Sequence, residues 1–277
     1  MAIREKILRS HSTTRFTCRF STAEEERGMN CNKRNKVSLP LVLVLVLDIA
    51  LSLPAKISVL RYVAFMAQSS GKKLIKIDAS IDTVCPWCFM GHKNMEKAIN
   101  SSRDQYDFEI RWHSFFLNPS APKVGVVKNE YYGNRFGRAQ WKQMAARMGQ
   151  LFRTHGLEYD TEGLTGNTLD SHRIIQLAGT QGRDKQNALV EEILVNYNVR
   201  GKYIGDRQML IEAAEKAGVV GAAEMFEDEN RGVKEVYEDI QKYSTNISGV
   251  PHFVINGIEV HGAQPPEVFL RAFQAAR

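Results

Sequence analysis

The sequence predicts an α/β protein in which one small sheet with helices on it is interrupted by a large all-helical insertion. Three observations carry this reading. A β-α-β run opens the body of the chain at Lys73, over a hundred residues of mostly helical pattern follow between about 127 and 245, and a β-β-α run comes last. The 277 residues are 43% hydrophobic and 25% charged, enough to bury a sizeable core, which excludes disorder, collagen and a small disulfide-stapled scaffold.

The first strand is read from Lys73 to Val84, where KLIKI leads into an apolar segment of strand length. It runs into Cys85-Pro86-Trp87-Cys88, after which Phe89, Met90, Met95, Ala98 and Ile99 recur near helical spacing. A second strand, Asp107 to Phe116, alternates Phe108, Ile110 and Trp112 before Pro119 and Pro122 stop it. Helical patterns then cover Arg138 to Phe152, Leu169 to Thr180, Gln186 to Arg200, Asp206 to Ala217 and Gly232 to Tyr243. The pair Asn256-Gly257 between the short apolar runs Pro251–Ile255 and Ile258–His261 predicts an antiparallel hairpin. A final helix is expected from Glu267, with Pro266 near its first position.

Charge separates the first 71 residues from the rest. They hold 11 Lys/Arg against 5 Asp/Glu, leaving 26 of each in residues 72–277, so the net +6 lies outside a neutral body. Nucleic acid is therefore not an expected partner. The apolar run from Leu39 to Pro54 contains Asp48 and is about 15 residues long, where a spanning helix needs roughly 20. A membrane association is not expected. Residues 1–71 are read as a leader: an alternative reading frame with Met66 as the working start, a cleaved targeting segment, or an anchor.

Of four cysteines, Cys18 and Cys31 lie in this leader, so the body carries one C-x-x-C and nothing else to pair with it. A thiol reacts as thiolate, and a cysteine at a helix start is helped by unpaired backbone N–H groups and the positive end of the macrodipole. Pro86 suits the first helical position, and Cys88 lies one turn on, close enough to attack a mixed disulfide formed at Cys85. Two other readings are a zinc knuckle, with His92 as a third ligand, and an inert pair of thiols. A structural zinc needs four ligands, and no second pair lies at zinc spacing, so no metal is expected.

Two separated motifs make a resemblance specific. Val84-Cys85-Pro86-Trp87-Cys88-Phe89 after an Asp-containing strand, then Ser248-Gly249-Val250-Pro251-His252-Phe253-Val254-Ile255-Asn256-Gly257 and Gly262-Ala263-Gln264-Pro265-Pro266, resemble the DsbA-like thioredoxin-fold family. The likeness is to its FrnE-type branch, close to the 2-hydroxychromene-2-carboxylate isomerases, and covers about residues 73–277. It implies a thioredoxin fold with a helical insertion: residues 72–118 and 246–277 as the thioredoxin-like domain, and 119–245 as the insertion and its connection back. It implies Cys85 as the attacking nucleophile, Cys88 as the resolver, and a cis Pro251 after Val250 facing them. An ordinary trans turn at Pro251 is the alternative.

The resemblance therefore implies a thiol–disulfide oxidoreductase working on thiol- or disulfide-bearing proteins or small molecules. Pro86, Trp87, Val250 and Pro251 would contact substrate. No cofactor is required, glutathione being admitted as reductant or co-substrate. Isomerase relatives generally carry serine where this chain has Cys85, which favours redox chemistry. Two rival readings are a glutathione-dependent isomerase or transferase of the same fold, and a redox-inactive partner-binding module. Scarce thiols suggest a cytoplasmic setting, with an organellar one if the leader is a targeting segment. Asp78 and Asp82 are read as capping or solvated residues, with proton transfer to the buried thiol as the alternative. His92 is read as solvated, His261 as a rim residue, and Trp112, Phe115 and Phe116 as core.

Overall fold

The computed structural model describes residues 71–276; the leader, read from the sequence as residues 1–71, lies outside the described residues but for Gly71. The four-stranded sheet comprises β1 (Lys73–Ile81), β2 (Tyr106–Ser114), β5 (His252–Ile255) and β6 (Ile258–His261), in the order β2-β1-β5-β6. β1 runs parallel to β2 and antiparallel to β5, and β5 is antiparallel to β6. A parallel pair needs a crossover, and helix α1 (Pro86–Asn100) supplies it.

β1 lies between two neighbours, and its side chains show it. The strand alternates exposed and buried at its start and is buried throughout from Ala79 to Ile81. Ile75 and Ile77 are fully buried, each contributing about 1.5–3 kcal/mol of hydrophobic stabilisation. The predicted hairpin is present: Asn256 and Gly257 have φ of 44° and 88°, the two positive values that a tight I′ turn needs. Asn256 also pairs with Lys76 on β1, its backbone N–H donating to the Lys76 carbonyl and its Oδ1 accepting from the Lys76 N–H.

Between the two halves of the sheet come α2 (Lys128–Phe136), α3 (Arg138–Arg153), α4 (Leu169–Gln181), α5 (Arg183–Asn198), α6 (Arg207–Lys216), α7 (Ala222–Glu227) and α8 (Val233–Tyr243). α9 (Pro266–Ala275) follows the hairpin. The intervening segment also carries a two-stranded ribbon, β3 (Val126–Val127) with β4 (Leu164–Thr165), which two-residue strands leave no periodicity to announce. β2 is an edge strand, and α5 covers that edge: Gln186 accepts from the Trp112 N–H and donates to the Trp112 carbonyl.

α8 lies against the sheet through polar contacts. The Ser244 hydroxyl just beyond it donates to the Ser114 carbonyl at 2.7 Å and meets the Ser80 hydroxyl at 3.2 Å. Trp112 is buried, as read, but Phe115 and Phe116 are only half-buried. β2 ends at Ser114, so these two rings lie past the strand and beside α4 and α8, where Phe116 meets His172 and Tyr237 edge-on.

Candidate active site

β1 ends at Ile81, and a turn closed by the Cys85 N–H donating to the Asp82 carbonyl delivers the chain to α1. Cys85 is the N-cap, with extended backbone (φ −85°, ψ 111°), and Pro86 occupies the first helical turn. The Cys85 carbonyl accepts from the N–H groups of Cys88 and Phe89, so the helix ladder starts at the first cysteine. No acidic residue occupies the first turn. Both sulfurs are free thiols, Cys85 nearly buried and Cys88 wholly so. Pro86 is half-buried and Trp87 is 39% exposed between them.

The second motif meets the first. The Val250–Pro251 bond is cis, and the Cys85 thiol donates to the Val250 carbonyl at 3.8 Å. Thus four predicted residues, Cys85, Cys88, Val250 and Pro251, come together although about 160 residues separate the pairs. Gly91, unremarked in the sequence, permits this approach: a Cβ there would stand 2.8 Å from Pro251 Cγ and 3.2 Å from the Phe253 ring.

The two thiols are not equivalent. Burial pushes the Cys88 thiol well above its ordinary value, with the hydrogen bond and charge of Cys85 acting in the same direction. A backbone hydrogen bond at Asp82 opposes these effects, and the Asp82 charge adds to them. Cys88 is accordingly held protonated behind Cys85.

Asp82 departs from the expectation of a capping or solvated residue. It is 1% exposed, its Oδ2 accepting from the Leu117 N–H at 2.8 Å while Oδ1 makes no hydrogen bond among the described residues and lies 3.5 Å from His172 Nε2. Asp78 also departs from it, being paired with His113 at 2.9 Å. His92 is buried and not solvated, packed edge-on to Trp112 and bonded to Glu191, where Lys93 also binds. Burial alone would raise the Glu191 carboxyl, but His92 and Lys93 bring it down to about 2. His261 is exposed at the rim of the hairpin, as read.

A small cleft of about 100 Å³ opens beside Asp82 and Val84, walled by the chain after β2 and by α2. Tyr132, Arg135 and Thr165 face it. Tyr132 shares a hydroxyl network with Tyr197 and Thr165, and burial holds both phenols above their ordinary range. Sequence reasoning missed these residues, because hydroxyls meeting across three separate elements leave no spacing to detect. Among the described residues, no helix is long and apolar enough to cross a membrane.

A four-stranded sheet with a Cys-x-x-Cys at the head of its first helix, facing a cis proline, defines a thioredoxin-fold protein. Residues 76–274 match the model of the DSBA-like thioredoxin domain, and the chain belongs to that family. The uncharacterized Bacillus subtilis protein YwbO is 24% identical over 202 residues, covering 72% of this chain and 95% of that protein. The crystal structure of a probable DsbA oxidoreductase from Streptomyces coelicolor superposes with a TM-score of 0.64 at 27% identity, covering 73% of this chain and 89% of the other. A 2-hydroxychromene-2-carboxylate isomerase shares the fold at 14% identity and a TM-score of 0.54, covering 72% and 95% of the two chains.

Proposed function

We propose that this chain is a dithiol–disulfide exchange enzyme acting through Cys85 and Cys88. The observation that carries the reading is the meeting of the Cys85 thiol with the carbonyl before cis-Pro251, while Cys88 stands behind it, fully buried. In the reductive direction Cys85, as thiolate, attacks one sulfur of a substrate disulfide. The Cys85–substrate bond forms, the substrate S–S bond breaks, and the other substrate sulfur leaves as thiolate. Cys88 then gives up its proton and attacks Cys85 Sγ, closing the Cys85–Cys88 disulfide and releasing the second substrate thiolate. The substrate gains two electrons and the enzyme loses two; oxidation runs the same steps backwards. No metal or organic cofactor takes part, although glutathione has the chemistry to serve as a small thiol partner.

Trp87, exposed between the cysteines, and Pro86, Val250 and Pro251 form the ground on which a substrate would lie. The Val250 carbonyl, now held by the Cys85 thiol, is free to accept from a substrate backbone once that thiol has reacted. Cys85 and Cys88 are the only cysteines in residues 72–277, which fits a thiol-reducing, cytoplasmic setting for the reaction.

The test is Cys88→Ser, which removes the resolver. The variant should accumulate a covalent adduct on Cys85, visible as a mass shift that dithiothreitol reverses, whereas Cys85→Ser should form none and lose disulfide reductase and oxidase activity. Reductase or oxidase activity that survives in Cys85→Ser would overturn the reading, as would the absence of any adduct in Cys88→Ser.

A further inference from the structure

On the sheet face away from Gly91 and α1, the strand register sets three metal-ligating side chains side by side. His252 is directly cross-strand from His261, and Glu259 lies two residues before His261 on β6, so all three project from the same face of the hairpin. The side chains meet as the register requires. Glu259 Oε2 is 3.2 Å from His261 Nε2 and 3.6 Å from His252 Nε2, and one ligand atom from each residue lies within 4.8 Å of the others.

His252 supplies the second, independent observation. It is 4% exposed, and its Nε2 is buried without a hydrogen-bond partner among the described residues, yet it is aimed at the Glu259 carboxylate. A buried imidazole nitrogen left unpaired is costly, and a bound cation would satisfy it. Glu259 and His261 are exposed, so a cation held here keeps one side open to solvent.

We propose that His252, Glu259 and His261 form a divalent metal site of the zinc class, with water in the fourth position. Two imidazoles and one carboxylate are a zinc ligand set with an open position, and are poorly matched to magnesium or calcium, which prefer all-oxygen sites. Ligands about 2.0–2.1 Å from a tetrahedral zinc stand roughly 3.3 Å from one another, close to the two spacings on Glu259. Binding would tie β5 to β6 directly after cis-Pro251, which the Gly262 N–H already holds by its bond to the Pro251 carbonyl at 2.8 Å. The site is separate from the exchange chemistry and stands or falls without it.

Cysteine thiolates are general zinc ligands, so titration with ZnCl2 is done on the full chain with Cys18, Cys31, Cys85 and Cys88 all replaced by serine, beside the native chain. One equivalent should bind to the serine chain, and Glu259→Ala or His261→Ala in that background, both at exposed positions, should weaken it at least tenfold. The thermal midpoint should rise with Zn2+ in the parent and stay still in these two variants. CoCl2 in the otherwise native chain gives a readout that does not depend on the serine background folding: visible d–d bands without thiolate charge transfer, lost in His261→Ala. Binding that disappears with the cysteines, a cobalt spectrum that is wholly thiolate in character, or affinity weakened less than tenfold by either hairpin variant would overturn the proposal.

Discussion

Gly91 lies directly beneath the ring of Pro251: a Cβ at Gly91 would come within 2.8 Å of Pro251 Cγ. The residue after Pro251 begins β5 and the residue before it accepts the Cys85 thiol, so this one close approach sets the depth at which α1 meets the loop.

Gly91→Ala tests that relationship. In an ordinary helix interior the change would stabilise by about 0.5–1 kcal/mol. Here the added methyl must displace Pro251 or Phe253, and overpacking of this kind costs roughly 1–3 kcal/mol. The expected net result is a loss of about 1–2 kcal/mol in urea unfolding, with a lower rate of disulfide exchange. A variant more stable than the parent would contradict the packing described.

His113 joins three elements by its two ring nitrogens: Nε2 faces Asp78 on β1 at 2.9 Å, and Nδ1 faces Asp239 on α8 at 2.8 Å. Tyr243 of α8 stacks on the ring at 3.6 Å. Burial would lower the imidazole's pKa, but hydrogen bonds and charge from Asp239 and then Asp78 outweigh it, so the folded value is raised. Asp78 is lowered, first by its hydrogen bond to His113 and also by the charges of His113, Arg111 and Arg183, against its own burial.

The signs give a window. The His113 contribution is complete below its unfolded value near 6.5 and is lost as pH rises through the folded value; that of Asp78 is present above 3.8 and is lost as pH falls through its folded value. Stability from this clamp therefore peaks in mildly acidic solution. His113→Ala leaves two carboxylates facing each other and should cost about 3 kcal/mol near pH 6. It should also flatten the decline in stability above pH 6.5, measured by urea unfolding from pH 5 to 9.

How much of this was legible depends on how local each signal is. The β-α-β run at the start of the body, the β-β-α run at its end, the hairpin at Asn256-Gly257 and the position of Cys85 at a helix start could be read because each rests on neighbouring residues, whereas the β3–β4 ribbon and the short helices α2 and α7 could not. The meeting of Cys85 with Val250 was reachable only through the resemblance, since no spacing links residues so far apart. Asp82, His92 and His113 were misjudged or passed over for one shared reason. A lone polar residue looks solvated in sequence, and only the fold shows that His172, Glu191 or Asp239 waits opposite it. Gly91 likewise looks like an ordinary helix glycine until Pro251 is placed against it.

Lys128 is fully buried at the start of α2, its ammonium 2.6 Å from the Tyr197 carbonyl, 2.9 Å from Asp160 Oδ1 and 4.0 Å from the centre of the Tyr197 ring. Burial lowers its pKa, and Asp160 opposes that effect. Removing one partner of such a pair leaves the other uncompensated, so Lys128→Ala should destabilise by about 3–5 kcal/mol. Lys128→Met with Asp160→Asn keeps the volume and removes both charges, and should recover more than half of the loss. Equal damage in the single and double variants, by denaturant titration, would show that the ion pair is not the source.

Asp82 brings a buried carboxyl close to Cys88, the thiol whose proton must depart before it can resolve the mixed disulfide in the exchange we propose. Two consequences of that charge pull in opposite directions. It holds the Cys88 proton on by repelling a second negative charge, and it offers an acceptor when that proton leaves. Asp82→Asn keeps an oxygen for the Leu117 N–H, so the turn should hold its shape. The alkylation profile of Cys88, measured with Cys85 as serine, should move to lower pH. If the carboxyl also takes the proton, release of the mixed disulfide at neutral pH should slow by about 100-fold despite the more acidic thiol, the low end of what a positioned base supplies. Faster release in the variant would mean that Asp82 acts on Cys88 through charge alone.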